Sequence, residues 1–297
     1  DKPEWYQARE SGYQQRTREK NYKERPWLYA FKSAQGRAKE FSLPFDLDVE
    51  WILDIAFYSG KQYTEYHTPN NGVGFFRAIP REKGQEQRPR VIANKINHFV
   101  MDAYASSKEH RPDVEVMPQN SDAMMVSNAK VAQAWLDHIT FPTQANWLAR
   151  SNAARYWAVL VGEGWNKWVM PPGAKRPTIE FCSPLEIYLP PACLSYLDAP
   201  WLIHSRAMDP EDVYDTYGKE LPASAIDQND PARHAVLREV GMASDTPVVT
   251  VKELWEPPCR RHPKGRFAVW AGEEWLTEPE PFPYAHGMIP YTQIGHT

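Results

Sequence analysis

Apolar residues recur at helical spacing from Leu47 to Val161 and in short extended pieces from Trp165 onward. The clearest helical stretch opens at Pro89. Its Ile92, Ile96, Phe99, Val100 and Ala103 fall at i, i+4, i+7, i+8 and i+11, one face of a helix. Asn94, Asn97, Asp102, Ser106 and Lys108 lie off that face. Pro112 ends the helix, because it lacks an N–H and biases Arg111 toward extended geometry. Val114 and Val116 alternate with Asp113 and Glu115, which predicts a short strand closed by Pro118.

Three more helices flank this one. Leu47–Tyr66 places Trp51, Ile52, Ile55 and Tyr58 on one face, with Asp46 as cap and Asp48 and Glu50 in the first turn, where carboxylates favour the positive end of the dipole. Residues 67–87 read as a polar loop. Asp122–Ile139 repeats Met125, Ala129, Ala132, Leu136 and Ile139, and Thr143–Val161 carries Trp147, Ala154, Trp157, Ala158 and Val161. Gly162 supplies the left-handed residue that ends the last of these. The stripes make Ile96, Phe99 and Trp157 core residues.

The second half reads as strands. Trp165–Met170 and Thr178–Cys182 form a hairpin across Pro171-Pro172-Gly173. Pro184–Leu189, Trp201–Ala207, Val248–Trp255, Arg266–Trp270, Glu274–Leu276 and Met288–Ile294 are further extended pieces. Asp209-Pro210 opens a short helix that closes at Gly218, a cap followed by proline at the first helical position. Residues 219–247 are a polar insertion with a short helix at Pro231–Val240. The fold class is therefore α+β, with a helical part at 46–164 and a strand-rich part at 165–297, behind an arm at 1–45.

Several of these segments resemble portal proteins of short-tailed, double-stranded DNA bacteriophages. Pro112-Asp113-Val114-Glu115-Val116-Met117-Pro118 is similar to that family's "P-x-V-x-V-x-P" segment, with a small-residue helix after it. Phe57–Tyr66 resembles its "Phe-x-x-Gly-x-Gln-Trp" helix end, with Tyr63 in place of Trp. In the family's order come Gly162/Gly164, Pro184/Tyr188, Asp198-Ala199-Pro200-Trp201, Met208/Glu211, Val249–Trp255 and Ile289-Pro290-Tyr291. Leu189-Pro190-Pro191 departs from the usual aspartate-proline, so no role is carried over to it.

The resemblance implies a non-enzymatic subunit of a closed homo-oligomeric ring, usually dodecameric, at one capsid vertex. Its partners would be the major capsid or scaffolding protein, the packaging terminase, tail adaptor proteins and the double-stranded DNA that passes during packaging and ejection. The setting would be the virion, and the host bacterial cytoplasm during assembly. The two halves together would match the portal wing. Stem, clip and later helical regions, with most DNA-lining and motor-docking residues, would lie beyond residue 297.

Charge adds one feature. The chain's net charge is −4, yet residues 1–40 hold ten Lys/Arg against six Asp/Glu, so the arm is +4 and the remainder −8. Its repeated aromatics suit docking on an acidic neighbouring subunit, with Trp5, Trp27 and Tyr29 as candidate intersubunit contacts. Nucleic acid is the competing target for the same charge. Three widely spaced cysteines argue against a disulfide framework. No apolar run approaches the roughly 18 residues of a membrane span, and residues 1–40 are too polar for a signal peptide.

Catalytic motifs are lacking. Gly60-Lys61-Gln62 is no phosphate loop, since Ser/Thr does not follow the lysine. Pro258-Cys259 with His262 only faintly echoes a zinc half-site, and His67, His98, His110 and His204 are dispersed. Glu163 has no second carboxylate beside it in sequence, and the acidic group Asp46, Asp48, Glu50 and Asp54 is accounted for by helix-start chemistry. No catalytic, cofactor or metal residue is nominated. Two rival readings stay open: a phage-associated metal-dependent nuclease or hydrolase gathering Asp198, Asp209 and Asp212, and a basic-arm nucleic-acid-binding module.

Overall fold

The computed structural model describes residues 47–67, 75–81, 89–109, 115–140, 147–170, 177–190, 193, 196–221, 248–260, 262–272 and 274–295. They fall into two compact units, one of Leu47–Glu186 with Pro290–Thr297, the other of Ile187–Pro222 with Val249–Ile289. Together they carry helices and antiparallel sheets, an α+β fold. The arm, with Trp5, Trp27 and Tyr29, and the helix expected at 231–240 lie outside the described residues.

The first unit is organised on α4 (Trp147–Val161), whose Ser151, Ala154, Trp157, Leu160 and Val161 are buried. Trp157 was expected in the core and is there. Around it pack α1 (Leu47–Tyr58) and α2 (Lys95–Glu109), through Trp51, Ile55 and Val100. On another side lie β3 (Glu163–Val169), β4 (Thr178–Cys182) and β10 (Tyr291–Gly295), in the order β10-β3-β4. The turn from α4 into β3 needs two glycines. Gly162 sits at φ 93°, a conformation costly for any residue with a Cβ. At Gly164 a Cβ would stand 1.9 Å from the Ala154 carbonyl oxygen, so only glycine lets helix and strand approach this closely.

Three local expectations are corrected here. The helix read as Leu47–Tyr66 stops at Tyr58, because Gly60 turns left-handed at φ 85° and the N–H groups of Ser59, Gly60 and Lys61 close back on Ile55, Phe57 and Ala56. Its expected last turn is instead β1 (Thr64–His67), paired antiparallel with β2 (Phe75–Ala78) inside the segment read as a loop. The short strand expected around Val114–Val116 is not formed at Glu115–Pro118. The Val116 N–H bonds to the Gln133 Oε1 of α3 (Ala123–Thr140) at 2.7 Å.

A further correction concerns packing. Helix α2 begins at Lys95 rather than Pro89, capped by Asn94, whose Oδ1 accepts from Asn97 N–H at 3.2 Å while its Nδ2 donates to the Tyr58 carbonyl at 2.8 Å. That second bond fixes the helix's rotation beside α1. The covered face then runs through Asn97, Val100, Tyr104 and Ser107, roughly a quarter turn from the expected stripe at about 100° per residue. Phe99 is 75% exposed and Ile96 38%. Neither is a core residue of the single chain.

The second unit is a five-stranded antiparallel sheet in the order β5 (Ile187–Tyr188), β6 (Leu202–Met208), β7 (Val249–Glu256), β8 (Arg266–Ala271), β9 (Glu274–Glu280). Helix α5 (Pro210–Tyr217) covers one face, inserting Val213 among Val249, Val251, Val269, Ala271 and Leu276. Its start and stop follow the sequence: Asp209 accepts from Glu211 N–H at 2.9 Å, and Gly218 closes it left-handed at φ 67°. Ile203, Leu254 and Trp270 form a second buried cluster, edged by Tyr188, Trp201 and Trp275.

Candidate functional site

The three aspartates of the nuclease reading lie at separate places, Asp198 beside a cleft and the other two at the start of α5. Asp209 caps α5 and Asp212 lies exposed in its first turn. Glu163 accepts from the Gln293 amide, tying β3 to β10. Cys259 and His262 hold a turn: Cys259 N–H donates to the His262 carbonyl at 2.9 Å, and its sulfur accepts from His262 N–H at 3.3 Å. Burial, then the neighbouring Glu50, raises the Asp54 carboxyl above the usual range. Among the described residues no three His, Cys, Asp or Glu side chains are positioned to hold a metal ion.

Among the buried polar residues, Glu253 and His204 lie side by side in the five-stranded sheet. Glu253 on β7 stands directly opposite His204 on β6, accepts from the Trp255 indole N–H at 3.3 Å, and lies 3.7 Å from the Arg206 guanidinium. A charge this buried needs partners, because desolvation otherwise costs several kcal/mol. This cluster fixes the pairing of β6 with β7. A cleft of about 230 Å³ lies between Tyr196–Pro200, Pro257–Cys259 and Gly287–Ile289. Proline and apolar side chains dominate it, Asp198 is its one carboxylate, and burial raises the Tyr196 phenol. It is smaller than a typical ligand pocket of roughly 300 Å³ or more.

Surface character is more telling than any cleft. Ten of the fifteen large hydrophobic side chains that are exposed among the described residues lie between Val91 and Trp135. Helix α3 turns Val126, Ala129, Gln133 and Leu136 inward, and Ala129 is the one fully buried. Met124, Val131 and Trp135 repeat at i, i+7 and i+11 on the opposite side and are exposed. The helix thus carries two stripes, and the expected one of Met125, Ala129, Ala132, Leu136 and Ile139 shares Ala129 and Leu136 with the covered face, while Met125 and Ala132 are exposed. The outer stripe was visible in the sequence as a second set of apolar residues at helical spacing. The arm residues Trp5, Trp27 and Tyr29 lie outside the described residues, so no contact of theirs is on view.

The described residues thus pair an apolar surface on α2 and α3 with few clustered polar groups. No helix among the described residues is long and apolar enough to cross a membrane. No curated protein matches the chain. A family model does, that of the phage P22-like portal protein, over residues 53–296. That match takes in both compact units and most of the 297 residues. The chain belongs to the P22-like portal protein family of bacteriophages.

Proposed function

We propose that the chain is a structural subunit of the portal ring at the unique capsid vertex, where DNA enters during packaging and leaves during ejection. The family match over residues 53–296 carries this reading, since the family is structural. The ring would be homo-oligomeric, on the family pattern a dodecamer, and would dock the terminase on one side and tail proteins on the other. The capsid or scaffolding protein would surround it, and the described units would form its wing. Head-to-tail contacts close such a ring, each subunit presenting two different surfaces. The exposed apolar side chains of α2 and α3 support that reading, because a lone soluble subunit would not keep them.

Negative-stain imaging of the purified protein tests the proposal. Rings with a central hole are expected, without ATP hydrolysis and without DNA cleavage in magnesium or manganese. A particle that stays monomeric at all concentrations, or a nuclease activity lost on changing one carboxylate, would overturn it. The +4 arm against the −8 remainder favours a clasp on the neighbouring subunit, with Trp5, Trp27 and Tyr29 as anchors. Deleting residues 1–40 should then weaken ring closure and leave DNA binding unchanged. Intact rings that lose DNA with salt would assign the arm to DNA instead.

A further inference from the structure

Two apolar patches sit on different helices of the first unit. One is formed by Val91 and Ile92 before α2 with Ile96 and Phe99 on it; the other by Met124, Val131 and Trp135 along the outer side of α3. At roughly 150–250 Å² for a large side chain, the exposed fractions amount to roughly 400 Å² apiece. A typical monomer's largest patch is roughly 300–600 Å², and this unit has two of about that size. The α3 stripe carries Asn128 and no charged residue between Met124 and Trp135, because Lys130 and Asp137 point to another side of the helix. Nucleic acid is therefore a poor occupant, since its affinity comes from lysine and arginine. A neutral apolar stripe without lysine or glutamate is the composition of the core of a permanent protein contact.

We infer that the α3 stripe of one copy packs against the α2 patch of the next, so that these two helix faces form an apolar core of the subunit contact. This rests on the ring reading proposed above. A closed cyclic array needs two unlike surfaces on each subunit, and the chain has two apolar patches of matching size, the α3 stripe uncharged and the α2 patch bordered by Arg90 and Lys95. Joining them buries roughly 800 Å² in total, about half of a standard interface, and leaves a polar rim to complete the contact. His98 and Asp102, 3.9 Å apart on the exposed side of α2, would belong to that rim.

Cysteine cross-linking of the full chain tests the pairing, with Cys193 and Cys259 replaced by serine and the buried Cys182 kept. With Phe99→Cys and Trp135→Cys on the same chain, a short bismaleimide should give a ladder of covalent oligomers. Each single variant should stay monomeric on a denaturing gel, and a mixture of the two should give dimers only. Trp135→Cys dimers formed alone would mean a two-fold contact and overturn the inference. A link within one chain would do the same, as would reaction of Trp135→Cys with Trp27→Cys rather than Phe99→Cys, which would make the arm the occupant. In parallel, Trp135→Lys should raise the concentration for half-assembly by at least about tenfold and leave the single chain's thermal melt unchanged. If the unmodified protein forms rings while neither effect appears, the inference fails and the ring reading survives; if it forms no rings, both fail.

Discussion

The five-stranded sheet and the α2–α3 stretch use apolar residues in opposite ways. In the sheet, Leu202, Ile203, Val251 and Leu254 are wholly covered, and even the charged Glu253 and Lys252 are buried. In α2 and α3 one residue each, Val100 and Ala129, is buried while Phe99 and Trp135 face out. The sheet is completed by its own chain. The helices leave apolar surface uncovered, as a chain packed between copies of itself in the proposed ring would need.

Stability measurements on single variants sharpen this contrast. Trp157→Ala in the packed part of the helical unit should cost about 3–5 kcal/mol, as a large side chain lost from a core does. A loss below about 1 kcal/mol in urea unfolding would show that α4 is not the centre of that unit. Glu253→Ala should cost about 2–3 kcal/mol, because it leaves Arg206 without its carboxylate and the Trp255 indole without an acceptor. No change would mean that water already serves those groups. Asn94→Ala removes both the cap of α2 and its tie to Tyr58, worth about 1–2 kcal/mol. A fall in helical circular dichroism should accompany it. Smallest of all, Phe99→Ala should change the stability of the dissociated chain by less than about 0.5 kcal/mol. A core-sized loss there would restore Phe99 to the interior and remove the contrast.

Much of this was legible in the sequence, for identifiable reasons. Strands β3, β4, β6 and β7 were found because alternation and Pro/Gly punctuation are local signals, and Asp209-Pro210 announced α5 for the same reason. The β1–β2 ribbon was missed because Tyr63 and Tyr66 continue the apolar content of α1 past Gly60, which had already stopped the helix. Phe99 was misplaced because periodicity defines faces without saying which one the rest of the chain covers; here the Asn94–Tyr58 bond decides it. The contact surfaces were less legible, since an apolar stripe reads alike whether its partner is the same chain or another.

The return of β10 to β3 has a consequence for how the chain is made. Gly295 lies opposite Glu163, and the Trp168 N–H donates to the Pro290 carbonyl at 2.7 Å, so the central strand of the three-stranded sheet waits for residues synthesised long after it. Until they emerge, β3 has one open edge, a template for wrong pairing. The sheet unit at 187–289 is complete before that and can fold on the ribosome first, at roughly 5–20 residues per second of synthesis. The helical unit that begins earlier in the chain therefore completes its three-stranded sheet later than the sheet unit.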